Sequence, residues 1–263
     1  MQTFTVEQRV LAYERRGRGE PLVLIHGFPL DHTIWDSVVL LLEDDFDLIL
    51  PDVRGFGQSQ AVEMPFTMDD LASDVAALLD HLGLESAFLA GHSMGGYISL
   101  AFLAAYPQRL RGLGLVASQA AADTPERRAG RYAQIRQIEE EGIGDIVAFM
   151  TEKLTPNEDL RKTLHDLMKK QRPAAFIGAL RAIAERRETL SLLPQVKFPV
   201  VVIHGQADAL IPIDRAREIK AAVPHAHSVE LPQGGHMPMM EFPQAVAEAL
   251  KKIKQGGARA ALL

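Results

Sequence analysis

Short, mostly apolar runs that stop at turn-forming residues narrow the possible folds of this chain more than any other feature. Runs of this kind are typical of strands that are buried on both faces, as in a parallel sheet covered by helices. The runs occupy residues 22–25, 47–50, 87–90, 113–116, 200–203 and 228–231. We therefore expect a sheet whose strands are mostly parallel and lie inside the protein.

Stretches with helical spacing separate these runs. Residues 68–82 carry apolar side chains three or four positions apart. Thr67, followed by Asp69 and Asp70, supplies a helix cap and an acidic first turn. Residues 94–106 are apolar almost all round, as expected of a helix packed centrally against a sheet. Two further helical stretches are 213–223 and 244–253. This alternation predicts a doubly wound α/β domain.

The alternation breaks in the middle of the chain. No strand signal occurs between residues 119 and 189, where Pro156 and Pro173 stand at helix-start positions. The helical stretches there are 125–141, 143–154, 157–171 and 173–187. We predict that residues 119–189 form a helical cap over the active site. The cap is inserted into an α/β core made of residues 1–118 and 190–263.

The composition excludes several classes of protein. The chain has 263 residues, 47% hydrophobic and 24% charged, which is typical of a globular protein that needs neither disulfides nor metal to fold. It has no cysteine, so thiol catalysis and cysteine-based zinc sites are excluded. A net charge of −6 argues against binding to nucleic acid or to an anionic membrane. We interpret the basic clusters at Arg127–Arg128 and Lys169–Lys170 as solvated helix faces.

The ends of the chain and its apolar runs bear on location. The first residues lack the basic start and apolar stretch of a signal peptide, and no apolar run approaches the roughly 20 residues that span a bilayer. Both observations favour a cytoplasmic protein. We predict that the tail from Gln255 to Leu263 is a frayed end. The sequence leaves open whether the protein is a monomer or a homodimer.

The segment Gly91-His92-Ser93-Met94-Gly95 is the strongest local motif. It lies where the run ending at residue 90 meets the helical stretch that begins near Met94. A serine on so tight a turn presents its hydroxyl outward, and the flanking glycines leave room for the chain to double back. The following helix directs N–H groups toward a developing negative charge. We therefore predict that Ser93 is a nucleophile.

A serine hydroxyl needs a base within hydrogen-bond reach. The candidate is His236, which follows two glycines after the last apolar run. The chain has nine histidines, and His204, which also ends a run, is the main competitor. Asp208, in the loop after that run, is placed to orient the imidazole and stabilise its charged form. The order Ser93, Asp208, His236 is the order found on α/β folds with a serine nucleophile.

The segment His26-Gly27-Phe28-Pro29 follows the first central run. We predict that the backbone N–H groups of Phe28 and Met94 form an oxyanion hole. Pro29 has no N–H and favours an extended backbone at Phe28. His26 is expected to tie down this loop by hydrogen bonds, and His92 to pack against the sheet without a catalytic role.

These motifs together resemble the α/β-hydrolase superfamily over nearly the whole chain. The matching segments also include Asp31, Trp35 and the stretch Asp52-Val53-Arg54-Gly55-Phe56-Gly57-Gln58-Ser59. The sequence is most similar to small bacterial carboxylesterases, enol-lactonases and cofactor-free haloperoxidase or perhydrolase relatives. Related dehalogenases and epoxide hydrolases carry aspartate at the elbow, where this chain has Ser93. The resemblance implies that residues 52–59 order a loop near the active site.

The predicted activity is hydrolysis of small apolar or aromatic carboxylic esters through an acyl-enzyme, with no metal or organic cofactor. The partner is then a small-molecule ester. The predicted pocket residues are Phe28, Phe149, Met150 and Met237. Ile146 and Met94 are further candidates for the walls of the pocket.

Three alternatives stay open at this point. A lactonase or carbon–carbon bond hydrolase acting on a ring-cleavage product would need a basic residue facing the pocket, for which Arg131 or Arg181 is available. A perhydrolase side activity is suggested by Pro29. A small-molecule receptor without catalysis is the alternative from a different functional class, and the intact Ser, His and Asp set argues against it.

Overall fold

The computed structural model describes residues 1–61 and 65–255. Its centre is an eight-stranded sheet with the strand order β1-β2-β4-β3-β5-β6-β7-β8. The strands are β1 (Gln2–Val6), β2 (Arg9–Gly17), β3 (Glu20–Ile25), β4 (Phe46–Pro51), β5 (Ala87–His92), β6 (Leu110–Val116), β7 (Val200–Gly205) and β8 (His227–Leu231). All six runs expected from the sequence are strands of this sheet.

The sheet is mostly parallel. Strands β3 to β8 pair in parallel, whereas β1 pairs antiparallel with β2 and β2 pairs antiparallel with β4. The expected doubly wound α/β architecture is confirmed. Strands β1 and β2 were not expected from the sequence, because β1, at the edge of the sheet, is mostly exposed and polar, and the apolar run of β2 is short and bounded by charged residues.

The helices cover both faces of the sheet. They are α1 (Asp36–Leu42), α2 (Met68–His81), α3 (Met94–Ala105), α4 (Pro125–Glu141), α5 (Gly144–Leu154), α6 (Glu158–Lys169), α7 (Pro173–Ala184), α8 (Asp214–Ala222), α9 (Pro238–Glu241) and α10 (Pro243–Lys251). All except α1 and α9, which the sequence did not predict, lie close to the ranges expected. Thr67 caps α2, since its hydroxyl accepts from the N–H of Asp70 while the Asp70 carboxylate accepts from the N–H of Thr67. None of the described helices is both long and apolar enough to cross a membrane.

Helices α4 to α7 form one continuous insertion between β6 and β7, and we call them the insertion helices. Helix α4 packs against α7, and α5 packs against α6. The backbone N–H of Thr189 donates to the carbonyl of Ala120 at 2.9 Å, so the two ends of the insertion lie side by side. The domain boundaries at residues 118/119 and 189/190 stay a prediction, and residues 256–263 at the end of the second core segment lie outside the described residues.

The strands deliver the site residues to one edge of the sheet. Strands β3, β5, β6 and β7 are fully buried at their carboxyl ends. The loops that follow β3, β5, β7 and β8 contain, respectively, Phe28, Ser93, Asp208 and His236. In parallel sheets this edge is where ligands bind.

Candidate active site

Ser93 occupies a strained turn between β5 and α3. Its backbone angles are φ 49° and ψ −110°, a conformation that side-chain-bearing residues rarely adopt. The N–H of Ser93 donates to the carbonyl of Val116 at 2.9 Å, which ties the turn to β6. A Cβ at Gly91 would overlap the backbone of Gly95, and a Cβ at Gly95 would overlap the carbonyl of Ile25. Only glycine at both positions lets the turn close around Ser93.

His236 and Asp208 form a buried pair. The imidazole Nδ1 of His236 lies 2.7 Å from Oδ2 of Asp208, and the two side chains are 2% and 0% exposed. The other carboxylate oxygen of Asp208 accepts from the N–H groups of Leu210 at 2.8 Å and Ile211 at 2.9 Å. Asp208 is therefore held in one orientation by its own loop, and it orients His236 in turn.

The carboxylate of Asp208 stays ionised. Burial alone would raise its pKa, but the charge of His236 and hydrogen bonds from His204, His236 and the N–H of Ile211 outweigh burial and hold that pKa well below its usual range. Nε2 of His204 lies 3.3 Å from Oδ2 of Asp208 and 2.8 Å from the carbonyl of Ile211. His204 thus supports Asp208 from β7 and is not itself exposed to the site.

A cavity of about 350 Å³ opens above Ser93 and His236. Both side chains line it, whereas Asp208 lies behind His236. The remaining lining residues are Phe28, Tyr97, Arg127, Gly130, Arg131, Gln134, Ile146, Phe149, Met150, Ile183, Ala209, Leu210 and Ile211. The wall opposite Ser93 therefore comes largely from α4 and α5 of the insertion.

Three of the four residues predicted for the pocket line this cavity, namely Phe28, Phe149 and Met150. Phe149 is 49% exposed and Met150 is buried. The prediction for Met237 is wrong, because its side chain is 0% exposed and does not line the cavity. Its side chain packs in the hydrophobic core instead. Met94 is likewise fully buried and does not line the cavity.

The backbone N–H groups of Phe28 and Met94 have no acceptor within the described residues. The Phe28 ring packs edge-on against Phe176 and Phe56, with ring centroids 5.2 Å and 6.3 Å away. The next loop contact, from the N–H of Leu30 to the carbonyl of Gly27 at 3.0 Å, closes the turn around Phe28. Both amides stay available as donors at the edge of the sheet.

Two further histidines brace the site without lining the cavity. Nδ1 of His26 lies 3.0 Å from the carbonyl of Gly27, and Nε2 accepts from the N–H of Val53 at 2.9 Å. The prediction that His26 ties down this loop is confirmed. Nε2 of His92 lies 2.8 Å from the carbonyl of His236. Burial, with the charge of His236, holds the pKa of His92 well below its usual range, so His92 stays neutral and donates to that carbonyl.

Several residues of the cavity wall were not expected from the sequence. Tyr97 lies one helical turn after Ser93 on α3, a spacing that could have revealed it. Arg127 is exposed, as expected of a solvated helix face, but it also lines the cavity together with Arg131. Arg181, the other basic residue considered, does not line it. No signal in the sequence indicates which polar face of α4 lies toward the cavity.

One cluster of possible metal ligands lies outside the cavity, at Asp31, His32 and Asp52. Nδ1 of His32 lies 2.7 Å from Oδ1 of Asp52, and Asp31 caps a short helical turn by accepting from the N–H of Thr33. Asp52 also accepts from the N–H of Gln58 at 2.8 Å. His32 and Asp52 satisfy each other, and Asp31 accepts from Thr33 and Gln171, so these carboxylates already have partners. Through Gln58, Asp52 also orders the loop of residues 52–59.

A protein-family model described as the alpha/beta hydrolase fold matches residues 20–243. The chain therefore belongs to the α/β-hydrolase family, and the expected fold and family are confirmed. The strained serine turn and the Asp–His pair occupy the edge of the sheet at which this family carries its chemistry.

The solved structure of a thermophilic esterase from Thermogutta terrifontis, with malate bound, is 34% identical to this chain, covers 95% of both chains and has a TM-score of 0.89. The dihydrolipoyllysine-residue acetyltransferase component of an acetoin cleaving system from Pseudomonas putida is 34% identical over 88% of this chain, which spans only 62% of that protein. The 3-oxoadipate enol-lactonase 2 of Acinetobacter baylyi is 26% identical over 95% of both chains. A bromoperoxidase from Bacillus anthracis, 23% identical over 94% of this chain and 96% of its own with a TM-score of 0.82, shares the fold alone.

Proposed function

We propose that the protein is a serine carboxylesterase in which Ser93, His236 and Asp208 form a catalytic triad. The observation that carries this proposal is the convergence of three loops on one cavity. Ser93 and His236 both line the cavity, and the ionised Asp208 holds His236 from behind at 2.7 Å. Nucleophile, base and orienting carboxylate are the parts that acyl transfer by serine requires.

The first half of the reaction acylates the serine. Oγ of Ser93 attacks the ester carbonyl carbon while Nε2 of His236 takes its proton, and the carbonyl oxygen becomes an oxyanion that the N–H groups of Phe28 and Met94 stabilise. As the intermediate collapses, the bond from carbon to the alkoxy oxygen breaks. His236 returns the proton to that oxygen, and the alcohol leaves.

The second half releases the acid. Water gives a proton to His236 and attacks the acyl-enzyme carbonyl, and the same two amides again hold the oxyanion. Collapse of this intermediate expels Ser93, which recovers its proton from His236. Asp208 stabilises the imidazolium in both halves, since its low pKa keeps it charged throughout.

We also propose that the insertion helices form a cap over the active site. Arg127, Phe149 and Met150 of α4 and α5 line the cavity that Ser93 enters, so the cap supplies most of the contacts to a substrate. The Thermogutta esterase, at 34% identity and with matching length, supports an ester as substrate. A cytoplasmic monomer or homodimer belongs to the same proposal.

The test is hydrolysis of p-nitrophenyl esters of increasing acyl length by wild type, Ser93→Ala and Ser73→Ala. Ser73 is an exposed serine on α2 and serves as the matched control. We expect Ser93→Ala to lower kcat by at least about 10,000-fold and Ser73→Ala to leave it unchanged. A fluorophosphonate probe should label wild type and not Ser93→Ala. Turnover that survives in Ser93→Ala would disprove the proposal.

A second candidate is hydrolysis of a lactone that carries a carboxylate. The observation that favours it is the pair of guanidinium groups, Arg127 and Arg131, in the cavity wall. An enol-lactonase lies among the relatives, and the Thermogutta structure holds malate, a dicarboxylate. The two candidates share the same catalytic residues. Faster turnover of a carboxylate-bearing lactone than of any neutral ester would favour the lactonase.

A further inference from the structure

We propose that Arg127 is the specificity-determining residue of an anion subsite, at which its guanidinium binds a carboxylate of the substrate. The inference rests on the proposed hydrolase function and assigns the substrate class, namely esters or lactones that bear a second, ionised acid group. The evidence is the set of polar residues that line the cavity, and the carboxylate partners that some of their charges already have.

The polar residues of the cavity wall form one stripe of donors on α4. Arg127, Arg131 and Gln134 stand at positions i, i+4 and i+7 and therefore lie one above another on a single face of the helix. Gly130 lies beside them, and a Cβ built there meets nothing within 4 Å. The stripe thus borders open space rather than packed side chains.

Among the described residues that line the cavity there is no aspartate or glutamate. The charged groups facing the space are the guanidinium groups of Arg127 and Arg131, and the titratable group beside Ser93 is His236. A cavity whose wall carries cations and no carboxylate attracts an anionic ligand. A neutral ester leaves that charge unused.

The two arginines are not equivalent. Arg131 donates to Asp123, whose side chain is 0% exposed and which also lies 2.9 Å from Arg186. The charge of Arg131 is therefore compensated in part, and its side chain is committed to a buried ion cluster. Arg131 contributes to the field in the cavity and cannot turn freely toward a ligand.

Arg127 has spare capacity. Its Nη2 donates to the carbonyl of Leu210 at 2.8 Å, and across the described ranges no carboxylate lies within 4 Å of its guanidinium. A guanidinium has five N–H donors in a fork that matches a carboxylate, so most of its donors stay available. The bond to Leu210, two residues after Asp208, positions the fork at the junction of the insertion and the catalytic loop.

The binding experiment uses adipate, a small dicarboxylate, with Ser93→Ala protein as the background that cannot turn over. Isothermal titration calorimetry compares this protein with versions that also carry Arg127→Met, Arg127→Lys or Arg136→Met. Arg136 is an exposed arginine nine residues after Arg127, on the opposite face of α4 and away from the cavity. Arg136→Met therefore removes the same charge as Arg127→Met without touching the cavity wall.

We expect Arg127→Met to weaken adipate binding about tenfold, Arg127→Lys to weaken it less, and Arg136→Met to leave it within about twofold of the background. Rising salt should weaken binding to the background protein more than to Arg127→Met, since the lost contact is ionic. Circular dichroism checks that each variant is folded. Absence of adipate binding to the background, or equal effects of Arg127→Met and Arg136→Met, would overturn the anion subsite.

The kinetic experiment separates this proposal from the proposed function. Wild type and Arg127→Met are compared on the p-nitrophenyl monoester of adipic acid and on p-nitrophenyl 6-methylheptanoate, which replaces the terminal carboxylate by an isopropyl group of similar shape. We expect the ratio of kcat/KM, anionic over neutral, to fall about tenfold in Arg127→Met. If wild type hydrolyses neither ester while adipate binding still depends on Arg127, the esterase proposal fails and the subsite stands.

Discussion

The serine turn and helix α4 face each other across one cavity, and they are built in opposite ways. At the turn, Gly91 and Gly95 are closed in by backbone atoms, and Ser93 is held at a positive φ. On α4, Gly130 has no neighbour within 4 Å of a built Cβ, and Arg127 is exposed. The proposed nucleophile thus lies on a turn with no room for added atoms, whereas the α4 side of the cavity has room for larger side chains.

The same contrast holds for charge. The side chain of Asp208 is fully buried, and each of its oxygens is satisfied by a fixed neighbour, so its charge acts on the histidines packed around it, His236 first. Arg127 lies in solvent-accessible surroundings, where screening weakens its field but leaves its donors open. If both proposals hold, the buried charge supports the reaction that all substrates share, and the exposed charge distinguishes one substrate from another.

The largest expected effect lies on the buried side, at Asp208→Asn. An amide in place of the carboxylate can donate to Nδ1 of His236, which leaves the proton on Nε2 and prevents that atom from accepting the proton of Ser93. We expect kcat on any ester to fall by about 10,000-fold. Steady-state kinetics check this, with Asp214→Asn as control because Asp214 is 76% exposed. A fall of less than tenfold in Asp208→Asn would remove Asp208 from the mechanism.

Adding one methyl group on each side of the cavity should have opposite effects on stability. Gly91→Ala forces a Cβ into the backbone of Gly95, and we expect it to lower the free energy of unfolding by about 4 kcal/mol or more. Gly130→Ala adds a good helix former in open space, and we expect a gain of about 0.5–1 kcal/mol. Urea denaturation measures both. A destabilised Gly130→Ala would show that α4 is packed as tightly as the turn.

A smaller effect concerns the loop beneath the cavity, at His32→Asn. Burial lowers the pKa of His32, but its hydrogen bond with Asp52 together with the negative charges of Asp52, Asp31 and Glu14 outweighs burial and raises that pKa. Burial would raise the pKa of Asp52, but the same hydrogen bond and the charges of His26 and His32 lower it. The His32 contribution is complete below the ordinary histidine pKa and is lost as pH rises through the raised value. The Asp52 contribution is complete above the ordinary aspartate pKa and is lost as pH falls.

The stability difference between wild type and His32→Asn should therefore be largest between about pH 4 and 6.5, at about 1–2 kcal/mol, and smaller at pH 8. Urea denaturation across pH measures it. His227→Asn is the control, since His227 is exposed at the start of β8. A difference that grows from pH 6 to pH 8 would contradict the assigned direction.

The smallest effect expected is a shift in the preferred acyl length of the ester when Met150, in the insertion side of the cavity wall, is shortened. Met150→Ala enlarges the cavity, and each methylene that a longer acyl chain then buries is worth about 0.8 kcal/mol, or about fourfold in kcat/KM. The ratio of octanoate to butyrate ester turnover should rise accordingly. Val147→Ala, on the same helix but outside the cavity, should lower stability and leave the ratio alone. Equal ratios in the two variants would show that Met150 does not contact the acyl chain.

The sequence predicted the interior strands and the helices well, because each has a signal of its own. Runs such as 200–203 are apolar throughout, and α2 begins at a capping box anchored by Thr67. Strand β1 was missed because most of it is exposed and three of its five residues are polar. Strand β2 was missed because its short apolar run, residues 10–13, is bounded by charged residues on both sides. An edge strand of this kind resembles a polar loop until its pairing is known.

The site divides along the same line. Ser93, Asp208 and His236 could be proposed from the sequence because each follows a strand and is flanked by residues that shape a turn. Met237 was misplaced because adjacency to His236 along the chain does not fix the direction of a side chain. Arg127 was missed as a cavity residue because helical spacing gives the faces of α4 but not which face meets the core.

The hydrogen bond between Ala120 and Thr189 has a consequence for protein engineering. Because the two ends of the insertion meet at 2.9 Å, the intervening residues can be exchanged as a cassette without altering the distance that the sheet must span. The ion cluster of Asp123, Arg131 and Arg186 lies entirely within that cassette. A segment grafted at these ends therefore keeps the ion pairs that hold its two ends together. If the proposed function holds, exchanging residues 120–189 should change the substrate range while Ser93, Asp208 and His236 stay in place.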